Sequence, residues 1–194
     1  MECYLLRHGQ TEANEKHLYC GSTDPHLSPD GEAALRALAA ERPLPFFDVV
    51  ADTGMHRTRE TADILCHGGA RVTLPGLREM DFGLFERKAY ETLRFDPYYI
   101  KWITDESGDC TCPWGESRNA FYARVRDSFE AFAKSTDAAR ACIVCHGGTV
   151  CAILDSFGTE KRGFYDWQPA FGHGWRVRLT AKDGPVRIEV LESV

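Results

Sequence analysis

Cys3-Tyr4-Leu5-Leu6-Arg7-His8-Gly9 is a short apolar run that stops abruptly at a cation, an imidazole and a glycine. An apolar run of this length with a glycine stop reads as a buried strand followed by a turn. Downstream, Ser28-Pro29-Asp30-Gly31-Glu32 supplies an N-cap and a first-turn proline, so a helix is predicted from Pro29 through Ala40. A second buried strand is predicted over 46–50 and a helix over 55–66, with Ile64 and Leu65 on its apolar face. A third strand over 71–74 and a fourth over 139–145 follow, the latter leading into a helix over 149–157. Between them, Phe121, Val125, Phe129 and Phe132 recur at helical spacing, which places a long helix over 116–134. At the end of the chain, 176–180 and 186–190 alternate around Lys182-Asp183-Gly184 and read as a hairpin. Strands alternating with helices indicate an α/β fold: a three-layer α/β/α sandwich on a mostly parallel sheet with an antiparallel edge strand.

Composition sets the outer limits. The chain has 194 residues, 43% hydrophobic and 27% charged, an ordinary globular balance that leaves no room for a disordered or low-complexity chain. A net charge of −6 argues against nucleic acid as the partner, because such binding draws its affinity from a basic surface. Residues 1–194 read as one domain, interrupted at about 85–115 by an aromatic-rich stretch that reads as a small helical lid. Eight cysteines in a small secreted chain would suggest a disulfide framework. Met1-Glu2-Cys3-Tyr4 carries no export signal and no stretch is long enough to span a membrane, so a cytoplasmic location with reduced thiols is expected.

Ligands of open α/β sheets bind at the carboxyl ends of the strands. The predicted ends carry Arg7-His8-Gly9, then Asp52-Thr53-Gly54 leading to Arg57, then Glu79, then His146-Gly147-Gly148. Two arginine forks and the amides of a glycine-rich helix start suit a dianionic phosphate. A neutral imidazole whose other nitrogen is fixed can attack phosphorus, and a second, cationic imidazole can donate to the phosphoryl oxygens. A carboxylic acid then protonates the leaving alkoxide and afterwards activates water, and Glu79 is the acid in this set. His17, His26, His56 and His67 lack such company and read as surface residues.

Leu5-Leu6-Arg7-His8-Gly9-Gln10-Thr11-Glu12-Ala13-Asn14 closely resembles the signature of the histidine phosphatase superfamily, the phosphoglycerate mutase-like proteins. The likeness continues through Arg57-Thr58-Arg59-Glu60-Thr61-Ala62, Leu77-Arg78-Glu79, Gly115-Glu116-Ser117 and Val144-Cys145-His146-Gly147-Gly148. The resemblance implies His8 as phosphorylated nucleophile, Arg7, Arg57 and His146 as phosphate pocket, Glu79 as proton donor, and Asn14 and the Gly147 amide as substrate contacts. Three places depart from the family pattern. Asp52-Thr53 stands where a serine pair is usual, Glu86-Arg87 replaces Glu-Gly, and His173-Gly174-Trp175 stands where small or polar residues are common. The short lid is more similar to the small bacterial phosphatases of the α-ribazole phosphatase type than to mutases, whose basic insertion shields the phosphoenzyme. The implied activity is hydrolysis of a small phosphomonoester through phosphohistidine, on an α-ribazole phosphate-like compound, a sugar phosphate or a nucleotide. A mutase-type phosphoryl transferase and a non-catalytic phospho-ligand binder are the competing readings. No metal or cofactor is expected, and a homodimer is the candidate assembly.

One rival motif is Cys142-Ile143-Val144-Cys145-His146, which matches a haem-attachment pattern. Residues three apart in a strand point to opposite faces, so both thiols cannot reach one haem edge. The lid rings Phe85, Tyr90, Phe95, Tyr98, Tyr99, Trp102 and Trp114 read mostly as the insertion's own core, with stacking on a substrate base as the second use. Cys145, next to His146, is expected to make the pocket sensitive to peroxide.

Overall fold

In the computed structural model, which describes residues 1–182 and 184–194, the opening apolar run is strand β1, Glu2–Arg7. It lies inside a six-stranded sheet, flanked by parallel β4 (Arg140–Cys145) and antiparallel β5 (Gly174–Thr180). Beyond β4 run β2 (Val49–Asp52) and β3 (Ala70–Thr73), both parallel, and beyond β5 runs antiparallel β6 (Arg187–Ser193). The order is β3-β2-β4-β1-β5-β6.

The two-residue period of the strands divides the core between the two faces. Cys3 and Leu5 of β1 and Ile143 and Cys145 of β4 pack with Phe121, Val125 and Phe129 of α6 (Arg118–Ser135) and Val150 and Ile153 of α7 (Gly147–Phe157). Tyr4, Leu6, Cys142 and Val144 point the other way, onto Leu35 of α2 (Pro29–Glu41) and Ala62 and Leu65 of α3 (His56–Leu65). Cys142 and Cys145 therefore belong to opposite faces, as the strand geometry requires, and both helix layers of the sandwich are present. Among the described residues no helix is long and apolar enough to cross a membrane.

Local signals place the helix starts. Ser28 accepts from the Gly31 amide at 3.1 Å with Pro29 in the first turn, and Ser117 accepts from the Ala120 amide at 3.2 Å. The short α1 (Glu12–Glu15) has no apolar face and is held by a capping box between Thr11 and Asn14. The lid holds α4 (Tyr90–Leu93) and α5 (Pro97–Ile103), the latter capped by Asp96.

Two expectations shift. The second strand begins at Val49 rather than Phe46, because its ladder partner β4 begins only at Arg140. The Asp48 carboxylate fixes that onset by accepting from the Ala139 and Arg140 amides at 2.9 and 2.8 Å. Phe46 is left with a single bridge to His67 and stays mostly exposed. The hairpin strands are found, whereas its predicted turn Lys182-Asp183-Gly184 includes Asp183, outside the described residues. The lid rings also divide: Phe85 and Tyr99 are buried against Trp102, whereas Tyr90, Phe95, Tyr98 and Trp114 face outward. Short helices packed on one side have only one face to bury.

Phe129→Ala should therefore lower the unfolding free energy by about 3–5 kcal/mol, and Phe95→Ala should stay within about 0.5 kcal/mol. Urea unfolding monitored by circular dichroism distinguishes them, and comparable losses would mean that the lid rings carry core stability.

Candidate active site

The end of β1 delivers Arg7 and His8 to the carboxyl edge of the sheet. The His8 amide donates to Cys145 O at 2.9 Å, and Gly9 N donates to Thr61 Oγ1 at 2.9 Å, which fixes the turn against β4 and α3. His8 is buried, and its Nδ1 lies 2.6 Å from Gly9 O. A carbonyl only accepts, so the proton is on Nδ1 and Nε2 carries the lone pair. Burial, reinforced by the Arg57 charge, holds the pKa of His8 well below the ordinary histidine value.

Arg57, in the first turn of α3, is fully buried. Its Nη1 donates to Thr23 O at 2.8 Å, Nη2 to Gly21 O at 2.9 Å, and Nε to His146 Nδ1 at 3.3 Å. His146 is the N-cap of α7, and its ring meets that of His8 edge-on with centroids 5.1 Å apart. Because Arg57 can only donate, His146 carries its proton on Nε2, 3.1 Å from Thr53 Oγ1. Thr53 passes the chain to Thr58 Oγ1 at 3.1 Å, which donates to Met55 O at 2.9 Å. His146 is thus neutral with one N–H, not the cationic donor expected, because burial first and Arg57 second push its pKa well below the usual value.

Arg7 donates through Nη1 to Pro169 O at 2.9 Å, and its guanidinium lies 3.8 Å from the centre of the Phe171 ring. Its Nε is buried and has no hydrogen-bond partner among the described residues. A Cβ added at Gly147 would sit 3.2 Å from that nitrogen and 2.8 Å from Gln168 Nε2, so the missing side chain keeps this approach open. An unsatisfied buried guanidinium N–H beside the start of an eleven-residue helix suits an anion.

Glu79 stands across from this group. Its carboxyl accepts from Met80 N at 3.0 Å and Gly148 N at 2.9 Å, and burial raises its pKa despite those bonds. A cavity of about 740 Å³ opens from Glu79 and Gly148 toward the lid, walled by Tyr19, Phe82, Trp102, Phe164 and Tyr165. Trp102 is the one member of the expected aromatic lid set on that wall, and the other rings come from elsewhere in the chain.

The structure thus brings Arg7, His8, Arg57, Glu79, His146 and Gly147 to one edge. Asn14, in α1, has its Oδ1 committed to Thr11 N at 3.1 Å and Thr11 Oγ1 at 2.9 Å. The charge of Asp52 is spent locally on the Gly54 amide at 2.6 Å, where Gly54 takes φ +82°. His173 holds Val194 O at 3.1 Å, away from the pocket side chains. Cys145 is fully buried and burial pushes its thiol pKa far up, so the expected peroxide sensitivity is withdrawn: a buried neutral thiol is inert packing. Thr58, Phe171 and Gln168 were not singled out by sequence, and only the Thr58 hydroxyl beside Arg57 offered any signal.

The buried histidines predict a pH dependence of stability. Their depressed pKa values stabilise the fold above the unfolded histidine value of about 6.5, and that contribution is lost as pH falls, by up to about 1 kcal/mol per histidine for each pH unit. The raised Glu79 pKa acts with the opposite sign, its contribution being present at low pH and lost on raising it. Urea unfolding in phosphate-free buffer should show lower stability at about pH 5.5 than at 7.5. Glu79→Gln should steepen that loss, and a flat profile in both proteins contradicts the assignment.

A family model of the histidine phosphatase superfamily (branch 1) matches residues 3–191. A protein of Hydrogenobacter thermophilus named "Putative phosphoserine phosphatase 2" is 34% identical over 157 residues, 78% of this chain and 75% of that one. The adenosylcobalamin/alpha-ribazole phosphatase of Salmonella typhimurium is 30% identical over 158 residues, 79% and 78% of the two chains. The solved alpha-ribazole phosphatase from Shigella flexneri superposes with a TM-score of 0.82 over 98% of this chain and 96% of that one, a likeness of fold at 22% identity. With the sheet, the paired histidines and arginines and this match along nearly its whole length, the chain belongs to the histidine phosphatase superfamily, branch 1.

Proposed function

We propose that the chain hydrolyses a small phosphomonoester through a phosphohistidine formed at His8 Nε2. The observation that carries this reading is the Nδ1–Gly9 O bond, which leaves the lone pair on Nε2 of a ring that feels the charges of both Arg57 and Arg7. In the first step Nε2 forms a bond to phosphorus as the P–O bond to the alcohol breaks. Arg7, Arg57 and the Gly147 amide hold the phosphoryl oxygens together with the His146 N–H, which exchanges Thr53 Oγ1 for a phosphoryl oxygen when the phosphate binds, and Asn14 is an additional contact through its amide. Glu79, whose raised pKa favours the protonated form, gives its proton to the departing alkoxide. In the second step the Glu79 carboxylate takes a proton from water, whose oxygen attacks phosphorus. The P–N bond breaks and inorganic phosphate leaves.

The cavity beyond Glu79 receives the alcohol. Its ring-lined wall suits an aromatic or heteroaromatic leaving group, such as the base of an α-ribazole phosphate-like or nucleotide substrate. Beside the protonated Glu79, the charged residues of its described lining are Asp105 and Asp155 against Arg118, and Arg118 donates to the lid carbonyls of Asp105 and Glu106 at 3.4 and 2.9 Å. This balance disfavours a leaving group with a second phosphate or a carboxylate and so favours the hydrolase over the mutase. A panel of α-ribazole phosphate, nucleotides, sugar phosphates, phosphoserine and 3-phosphoglycerate should rank the aromatic alcohols first, and a preference for 3-phosphoglycerate would reverse this choice.

His8→Ala should reduce p-nitrophenyl phosphate turnover by about 1,000-fold or more, and undiminished turnover would remove His8 as nucleophile. Glu79→Gln should cost alkyl phosphates far more than p-nitrophenyl phosphate, whose leaving group needs little protonation. The pH profile follows from the two shifts. His8 stays unprotonated well into the acid range, whereas Glu79 loses its proton as pH rises through its raised pKa. Alkyl phosphate hydrolysis should therefore be fastest on the acid side, with an alkaline limb that Glu79→Gln abolishes.

A further inference from the structure

Glu86 touches no group assigned above to substrate, yet its carboxylate collects donors from two segments. Oε1 accepts from Gly21 N at 2.8 Å, Ser22 N at 2.9 Å and Phe82 N at 3.2 Å. Oε2 accepts from Thr23 N at 3.2 Å and Thr23 Oγ1 at 2.6 Å. Three successive amides of the 21–23 loop are thereby wrapped around one anion, a geometry that backbone N–H groups adopt for anions in general. The carbonyls of the same loop face the opposite way, Gly21 O onto Arg57 Nη2 and Thr23 O onto Arg57 Nη1. The Gly21–Ser22 peptide unit thus lies as a dipole with its N–H on an anion and its C=O on a buried cation.

The loop has little other means of holding that shape. Gly21 passes so close to the chain that an added Cβ would lie 1.7 Å from Met80 O, and Ser22 adds one side-chain bond to Asp81 at 2.9 Å. Glu86 itself is anchored by its amide on Gly83 O at 3.1 Å. Arg87 beside it takes φ +61°, donating to Tyr19 O at 2.8 Å. The departure from Glu-Gly therefore keeps the backbone shape a glycine would adopt and keeps the carboxylate.

We propose that Glu86 is a positioning residue for phosphate binding. It holds the 21–23 loop in the conformation that presents both carbonyls to Arg57, and through Arg57 Nε it orients His146. Both ends of the Arg57 fork depend on acceptors of this loop, whose three amides Glu86 gathers, while Cys20 Sγ to Thr23 O at 3.6 Å and His56 N to Asp24 Oδ1 at 2.8 Å hold its far side. An amide in place of the carboxylate keeps the volume but turns an N–H onto loop amides that need an acceptor, so one set of bonds must open. The proposal rests on the phosphate-pocket reading above.

The test compares wild type, Glu86→Gln, Thr23→Val, Arg57→Ala and the Glu86→Gln/Arg57→Ala double variant. Inorganic phosphate binding by calorimetry, KM and kcat for p-nitrophenyl phosphate, and Tm are measured for each. Glu86→Gln should weaken phosphate binding and raise KM by about tenfold, with a smaller effect on kcat. Thr23→Val, which removes one donor and leaves the carboxylate, should shift phosphate binding the same way by about threefold. In the Arg57→Ala background Glu86→Gln should add less than about twofold, since the residue acts through that arginine. Wild-type affinity in Glu86→Gln, or an equal loss with and without Arg57, overturns the proposal. If Glu86→Gln does not fold, wild-type affinity in folded Thr23→Val overturns it as well. A wild type that neither binds phosphate nor turns over p-nitrophenyl phosphate refutes the hydrolase reading itself, which separates that failure from this one.

Discussion

The constraint on which the site depends is the complete burial of the Arg57 guanidinium. A charge removed from water is tolerated only when its donors are met, and an unpaired buried charge costs several kcal/mol. Here the acceptors are mostly neutral: two loop carbonyls and one imidazole nitrogen, with the Asp24 carboxylate at 3.8 Å from Nη1. Carbonyls satisfy hydrogen bonds without cancelling charge. The positive field therefore persists at His8 and His146, where it adds to burial in keeping both rings neutral. One cation thus favours an unprotonated imidazole beside it, as the proposed nucleophile requires, while its own charge is left largely uncancelled.

The carboxyl opposite is set by the same physics with the other sign. Glu79 accepts two backbone amides, which favour its ionised form, yet desolvation outweighs them and raises its pKa. Burial thus favours the neutral state at the imidazoles and at the carboxyl alike. A phosphate dianion would reverse the balance at the histidines by offsetting the Arg57 charge, and would strengthen it at Glu79.

What could be read from the chain follows from the range of the interactions. Strand and helix positions were legible where the signal is local: the apolar run of β1, the Ser28-Pro29 cap, and the recurrence of Phe121, Val125 and Phe129 on α6. The reacting residues were legible because strand ends gather them whatever the rest of the chain does. The onset of β2 was not, since it is fixed by Asp48 reaching amides about ninety residues away. The outward turn of Phe95 and Tyr98 was equally hidden, as composition does not say which face of a short helix is covered. Glu86 was visible as part of a motif, but its partners at 21–23 lie more than sixty residues away, and no spacing rule connects them. The inertness of Cys145 is likewise a property of packing, not of its place beside His146.

The antiparallel edge of the sheet also belongs to the site and is more than a way of ending the fold. β5 pairs antiparallel with β1, so its first residue lies at the carboxyl end of β1, where Gly174 faces Leu6. The segment leading into β5 must therefore cross the edge where Arg7 and His8 lie. It uses that passage to hold Arg7: His173 O accepts the Arg7 amide at 2.9 Å, Pro169 O accepts Nη1, and Phe171 lies under the guanidinium. A parallel β5 would start at the far end of the sheet and leave Arg7 without this wall. Arg57 is held by the chain that precedes α2 and Arg7 by the chain that follows α7. The two guanidinium groups are thereby fixed by separate segments of the chain, and both charges act on His8.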